Sequence, residues 1–84
     1  MTNAMRAPQR AHYYVVLHEN QWKIVHDGVR YGPYQTQRAA IQVAVDCAHE
    51  SGKRGFDAQV LVQGADNQFR TEWTYGHDPY PPPG

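Results

Sequence analysis

The side chains that could do chemistry in this chain are five histidines, one cysteine and eight carboxylates. The histidines are His12, His18, His26, His49 and His77. No two of them have the His-x-x-x-His spacing that places two metal ligands on one helical face, and Cys47 and His49 point about 200° apart on a helix. We therefore expect no metal site and no cofactor.

Cys47 is the only thiol that could serve as a nucleophile. It falls among small residues on one face of a predicted helix, which favours a buried packing role. The carboxylates of Asp66, Glu72 and Asp78 fall on a turn, a strand and a tail, so they form no fixed pair for acid–base chemistry. The sequence has no glycine-rich phosphate loop and no Gly-x-Ser-x-Gly elbow. We expect a protein that is not an enzyme and assign no catalytic residue; a buried polar cleft joining Cys47, a histidine and a carboxylate would indicate otherwise.

Aromatic side chains are the stronger functional signal. Six Tyr, two Trp and two Phe residues are more than one short helix can cover, so several should remain on an open sheet face. Exposed aromatic rings on a sheet suit a dimer interface or stack single-stranded bases. The candidate interaction surface consists of Tyr14, Tyr31, Tyr34, Trp73 and Tyr75. An alternative is that the C-terminal tail folds back over these rings.

The charge balance favours a protein partner over a nucleic acid. Eight Lys and Arg residues match eight Asp and Glu residues, which gives a net charge of zero and a pI near 7.0. Strong attraction to phosphate needs a basic surplus, whereas zero net charge removes long-range self-repulsion. In the alternative of a nucleic-acid-binding module, the contacts would come from Lys23, Arg30, Arg38, Lys53 and Arg54.

The cellular compartment is predicted from the single cysteine and from the absence of long apolar segments. One cysteine allows no intrachain disulfide, the N-terminal residues lack the apolar run of a signal peptide, and no stretch approaches the roughly 20 apolar residues of a membrane span. We expect a cytoplasmic protein that is not in a membrane.

The elements that position these side chains begin with three strands. Period-2 alternation predicts one strand from His12 to Leu17 and a second from Trp22 to His26. Asp27-Gly28 is a strong hairpin signal because a type I′ turn needs positive φ at both central positions. A third strand over residues 29–32 should end at Gly32-Pro33, since proline cannot donate to a strand ladder.

A helix and two more strands complete the pattern. Thr36 should cap the helix, and Gly52 and Gly55 should end it. The predicted buried face carries Ala40, Ile41, Ala44, Cys47, Ala48 and Ser51. Further strands are predicted over residues 58–63 and 69–75. The expected fold is α+β, a small antiparallel β-sheet with one α-helix packed on one face in the order β-β-β-α-β-β, and with the other face rich in Tyr and Trp.

The same pattern divides the chain into three parts. We expect a flexible N-terminal arm over residues 1–11, a single α+β domain over residues 12–76 and a Pro-rich flexible tail over residues 77–84.

The order of hydrophobic and cap residues also carries a resemblance. Its parts are Tyr14-Val15-Val16, Trp22 with Lys23-Ile24-Val25, Tyr34, Thr36, Ala39-Ala40-Ile41, Ala44, Val60-Leu61-Val62 and Phe69-Arg70. This order resembles the uncharacterised bacterial family called domain of unknown function 2188, over about residues 12–76. The resemblance implies a fold and no activity. Members of that family usually have glycine where Gln21 and Asn67 stand here, so these two turns are expected to differ.

A second likeness covers residues 22–48 only. A short meander followed by aromatic-x-Thr and an Ala-rich helix is similar to the small DNA-binding domains at the start of tyrosine integrases and in plant AP2-type factors. Those families insert the sheet into the major groove, which would place Lys23, Arg30 and Arg38 against phosphate, with Arg10 on the arm. The leading hypothesis is nevertheless a non-enzymatic interaction module that self-associates through its sheet or its edge, with a homo-oligomer or an unknown protein as partner.

Overall fold

The computed structural model describes residues 9–83 and contains five strands and one helix. The elements are β1 (Arg10–His18), β2 (Gln21–His26), β3 (Val29–Tyr34), α1 (Gln37–Lys53), β4 (Asp57–Gln63) and β5 (Phe69–Thr74). Most of the predicted arm, residues 1–8, and Gly84 of the predicted tail lie outside the described residues. Arg10 and Ala11, which were also assigned to the arm, belong to β1.

The five strands form one mixed sheet in the order β3-β2-β1-β4-β5. The predicted element order and the helix packed on the sheet are confirmed, but the prediction of a wholly antiparallel sheet is wrong, because β1 and β4 pair in parallel. The helix explains the difference. It carries the chain from edge strand β3 back across the sheet, so β4 enters beside central strand β1 in the same direction, as a crossover connection requires.

The tight turns follow the local sequence closely. Asp27 and Gly28 have φ values of 52° and 77°, which confirms the predicted turn between β2 and β3. Asn67 adopts a φ of 64°, the left-handed conformation that glycine favours and asparagine tolerates. The prediction that Gly32-Pro33 ends β3 is wrong: the strand continues to Tyr34, because β3 is an edge strand whose missing proline N–H need not bond to a neighbour.

The helix begins as predicted, with the Thr36 hydroxyl accepting a hydrogen bond from the Ala39 amide at 3.0 Å. Its buried face carries Ala40, Ala44, Val45, Ala48, Ser51 and Gly52. The prediction that Cys47 is buried is wrong, because the helix leans on β1 and β4 and leaves Cys47 exposed on its β3 side. In the described part of the chain, no helix is long and apolar enough to cross a membrane.

The core lies between α1 and one face of the sheet. Its members are Ala11, Tyr13, Val15, Ile24, Ala40, Ala44, Val45, Ala48, Ala58, Val60 and Trp73. Alanines on the helix allow close approach to β1 and β4, so a small domain can fill its interior with few large side chains. The Tyr13 hydroxyl is buried and lies 2.7 Å from the Ser51 hydroxyl, a hydrogen bond that joins β1 to the last turn of α1.

Candidate functional site

The sheet face turned away from α1 is here called the open face. The register of the strands places Tyr14, Val16, Val25, Leu61 and Phe69 on it. The Tyr14 and Phe69 rings meet edge to face, with centroids 5.3 Å apart, and Phe69 is 42% exposed. Across residues 9–83 no helix or strand packs over this face, so it presents a half-exposed apolar centre to solvent.

Charged and polar side chains surround that centre. Lys23 pairs with Val16 and Arg30 pairs with Val25, which puts both cations on the open face towards the β3 edge. Arg10 and Asp57 lie opposite each other where β1 and β4 begin. On the β5 side the neutral Gln59 amide donates to the Thr74 hydroxyl at 3.4 Å. The face therefore has an apolar middle, a basic side and a neutral polar side.

The aromatic residues predicted to form one surface lie in three places. Tyr14 is on the open face. Tyr31 and Tyr34 line a cleft between β3 and α1, and Trp73 and Tyr75 pack at the β5 side of the core. The prediction that the face away from the helix is rich in Tyr and Trp is wrong, because the alternation of β2, β3 and β5 turns these rings towards α1.

The five candidate nucleic-acid contacts are also divided by the fold. Only Lys23 and Arg30 share the open face. Arg38 lies on an exposed part of the first turn of α1, and Lys53 and Arg54 lie at the other end of that helix. Lys53 pairs with Glu50 at 3.4 Å, and the Arg54 guanidinium lies 5.9 Å from the centre of the Phe56 ring.

The cleft between β3 and α1 has a volume of about 320 Å³. It is lined by Tyr13, Ile24, His26, Tyr31, Tyr34, Val43 and Cys47. Desolvation of the sulfur and, secondly, the negative charge of Asp46 raise the pKa of the Cys47 thiol. A thiol with a raised pKa stays protonated near neutral pH and is a poor nucleophile. The cleft is lined by Cys47 from α1 and His26 from β2 and has no carboxylate in its lining.

A larger groove of about 460 Å³ lies where β1 begins and α1 ends. It contains the Tyr13–Ser51 hydrogen bond and His26, whose ring stacks on Tyr13 at 3.9 Å. His26 Nδ1 lies 3.0 Å from the His12 carbonyl oxygen, so the ring is held by the backbone. Among residues 9–83, no three His, Cys, Asp or Glu side chains come close enough to hold a metal ion.

The chain end from His77 to Tyr80 folds back, although over rings of the helix-bearing face and not of the open face. The Trp73 indole N–H donates to the Pro79 carbonyl at 2.9 Å, and the Tyr80 ring stacks on the His49 ring at 3.7 Å. The sequence signal for this docking was weak, because prolines at a terminus are typical of an extended tail.

Most of the chain matches one known protein family. Residues 13–75 match the family described as "Uncharacterized protein conserved in bacteria (DUF2188)". The chain belongs to the DUF2188 family. The DUF2188 match runs from the core residue Tyr13 to Tyr75, so it includes every strand at least in part, the whole helix and both edges of the open face.

The description of DUF2188 names a bacterial distribution and no activity. Searches of curated proteins and of solved structures found no match. The docked residues from His77 to Tyr80 follow the end of the DUF2188 match, whereas the Trp73 and His49 rings that they contact lie inside it.

Proposed function

We propose that this DUF2188 protein is a non-enzymatic interaction module that self-associates through the open face of its sheet. The observation that carries the proposal is the half-exposed apolar centre of that face, formed by Tyr14, Val16, Val25, Leu61 and Phe69. On this face, apolar side chains of β2 and β4 flank those of the central strand β1. Covering them with a second apolar surface excludes water and is therefore energetically favourable.

The size of the open face suits a small homodimer. Five strands about 4.8 Å apart and roughly 20 Å long give a footprint of about 500 Å² per copy. Two copies face to face would then cover about 1,000 Å², which is the lower limit of a specific interface. Sheets that pack in this way interdigitate the side chains of their inner faces across about 10 Å.

The charges of the open face favour one arrangement of the two copies. A two-fold axis parallel to the strands places β3 of one copy over β5 of its partner. Arg30 then lies over the neutral Thr71 hydroxyl of the second copy, and Lys23, on β2, lies over the neutral Gln63 amide of its β4. Neither cation therefore meets the same cation of the second copy. The zero net charge of the chain adds no long-range repulsion.

A carboxylate placed in the centre of the open face should weaken self-association. We expect the wild-type chain to form dimers as its concentration rises in analytical ultracentrifugation, and Leu61→Asp to weaken the dimer at least about tenfold, because the interface would bury an unpaired charge. The matched control is Gln42→Asp, which adds the same charge on an exposed helix position and should leave the dimer unchanged.

Circular dichroism spectra of both variants establish that the monomers are folded. A wild-type chain that stays monomeric at millimolar concentration contradicts the proposal, and so does a Leu61→Asp chain that dimerises as the wild type does.

A second function is favoured by the position of two cations. Lys23 and Arg30 share the open face with Tyr14 and Phe69, and a basic sheet with exposed rings is how several domains hold single-stranded nucleic acid. The chain has no basic surplus, so the electrostatic contribution would come from this face alone.

The salt dependence of binding tests this second function. We expect a fluorescently labelled oligothymidine to bind at low salt, and the double variant Lys23→Ala/Arg30→Ala to reduce the slope of log K against log salt by about 1.4. Lys53→Ala, at the far end of α1, should keep the wild-type slope. If no change in anisotropy occurs at low salt, this function is excluded.

A further inference from the structure

The tail from His77 to Tyr80 lies in a groove between α1 and β5, here called the tail groove. Its floor is Trp73, which is 2% exposed, and one wall is the outward side of α1 at Asp46 and His49. The Tyr80 ring lies parallel to the His49 ring, with centroids 3.7 Å apart and an angle of 6° between the planes. The Tyr80 hydroxyl donates to Asp46 Oδ1 at 2.7 Å.

The backbone of the tail is also held by hydrogen bonds. The Trp73 indole N–H donates to the carbonyl of Pro79, the residue before Tyr80, at 2.9 Å. A turn directs the tail into the groove, since the Asp78 carboxylate accepts from the Thr74 amide at 2.8 Å and the Asp78 amide donates to the Thr74 carbonyl at 3.0 Å. The prolines after Tyr80 are exposed.

We infer that the tail groove is a recognition site for an extended tyrosine-containing segment of a partner polypeptide, and that residues 77–80 occupy it as a built-in ligand. Three separate groups recognise such a segment. His49 offers a ring for the tyrosine to stack on, Asp46 accepts the phenol proton, and Trp73 donates to the carbonyl of the preceding residue. Aromatic side chains that line a groove are a recurring way of binding extended peptides.

The position of the groove in the chain supports this inference. Asp46, His49 and Trp73 lie inside the span that matches DUF2188, and the tail that fills the groove follows that span. The matched span therefore carries the binding groups, and the segment that fills the groove lies outside it. This site is on the helix side of the sheet and is independent of self-association through the open face.

The electrostatics of the groove select a neutral tyrosine. The hydrogen bond to Asp46, followed by burial and the charges of Asp46 and Glu50, raises the pKa of the Tyr80 hydroxyl. A phosphate on that oxygen would place its negative charge against two carboxylates. The partner segment therefore carries an unphosphorylated tyrosine.

The tethered tail competes strongly with any external segment. A short tether holds its ligand at an effective concentration of about millimolar, so a tail that binds with a Kd of about 0.1 mM or less keeps the wild-type groove occupied. Tyr80→Ala removes the stacked ring and the bond to Asp46 and opens the groove in the full-length chain.

The test uses a synthetic peptide with the sequence of residues 77–84. Its binding to full-length chains is measured by Trp fluorescence and by calorimetry. We expect Tyr80→Ala to bind this peptide saturably and at least about tenfold more tightly than the wild type does. The same peptide with phosphotyrosine should bind Tyr80→Ala at least about tenfold more weakly than the unmodified one.

Two further variants locate the binding in the groove. In the Tyr80→Ala chain, Asp46→Ala should weaken peptide binding about tenfold, because it removes a charge-assisted hydrogen bond. Asp57→Ala, which removes an exposed carboxylate on β4, should leave binding unchanged. The proposal is overturned if Tyr80→Ala shows no saturable binding up to millimolar peptide, or if Asp46→Ala binds as tightly as its parent.

Circular dichroism shows whether Tyr80→Ala is folded. If it is not, Tyr80→Phe takes its place, since this change keeps the stacked ring and removes only the hydrogen bond to Asp46. A smaller gain in peptide affinity over the wild type is then expected, and the absence of any gain overturns the proposal.

Discussion

Replacing Trp73 by alanine is expected to lower the free energy of unfolding by about 3–5 kcal/mol. The indole is 2% exposed, pairs across the sheet with Val60 and belongs to the main core. A large cavity would open at the β5 side of the sheet, where α1 makes fewer contacts and the structure has little to collapse into it. Urea unfolding followed by circular dichroism gives the value.

A conservative variant separates the packing of Trp73 from its hydrogen bond. Trp73→Phe keeps most of the ring in the core and loses the donor to the Pro79 carbonyl, so we expect a loss of about 1–2 kcal/mol. A Trp73→Ala chain that loses less than 1 kcal/mol would contradict the core assignment and return Trp73 to the interaction surface predicted from the sequence.

The elements that the sequence predicts well are those set by neighbours in the chain. The turn at Asp27-Gly28 needs two left-handed residues, and the cap at Thr36 needs one hydroxyl three residues before a free amide. Both are decided within four residues. The order of strands and helix follows from such local signals, which is why the element order is confirmed.

The direction of β4 was not predictable in the same way. Parallel pairing of β1 with β4 depends on where α1 returns the chain, and residues 10–15 meet partners more than 40 positions away. Hydrophobic alternation is equal for parallel and antiparallel neighbours, so the sequence pattern of Val60 and Val62 predicts a strand without its direction.

Alternation also left the faces unassigned. Tyr13 and Tyr14 occupy opposite faces of β1, and the pattern alone does not say which of them meets the helix. The structure places Tyr13 in the core and Tyr14 on the open face. A register shift between Val60 and Leu61 adds one residue to β5 beyond simple alternation, and Trp73 follows it on the core side.

Docking of the tail depends on contacts across a long sequence distance. The Tyr80 hydroxyl bonds to Asp46, which lies 34 residues earlier in the chain. A terminal run of prolines does not indicate such a contact. The sequence therefore predicted the scaffold of the domain and the types of side chain on it. Which side chains share a surface was decided by packing.

The substitution Gly52→Ala is expected to lower the free energy of unfolding by about 2–3 kcal/mol, although alanine is the better helix former. Gly52 is buried in the last turn of α1 against the face of Tyr75, and an added Cβ would lie closer than 3.0 Å to three ring carbons, the nearest of them Cγ. Because Cγ is next to the backbone of Tyr75, the ring cannot swing away without moving the end of β5. Thermal and urea unfolding of the single variant give the cost.

A double-mutant cycle with Tyr75→Ala separates the clash from every other effect of the added methyl group. Without the ring, the three closest contacts of the added Cβ are gone, and helix propensity should make Gly52→Ala stabilising by up to about 1 kcal/mol. The sign of the effect of Gly52→Ala is thus expected to reverse between the wild type and the Tyr75→Ala chain. If Gly52→Ala costs the same free energy in both backgrounds, the contact between Gly52 and Tyr75 does not exist in solution. A reversal would show that packing of the Tyr75 ring against Gly52 holds the end of β5 against α1. The Tyr75 ring also contacts Trp73, so this packing helps to position the floor of the tail groove.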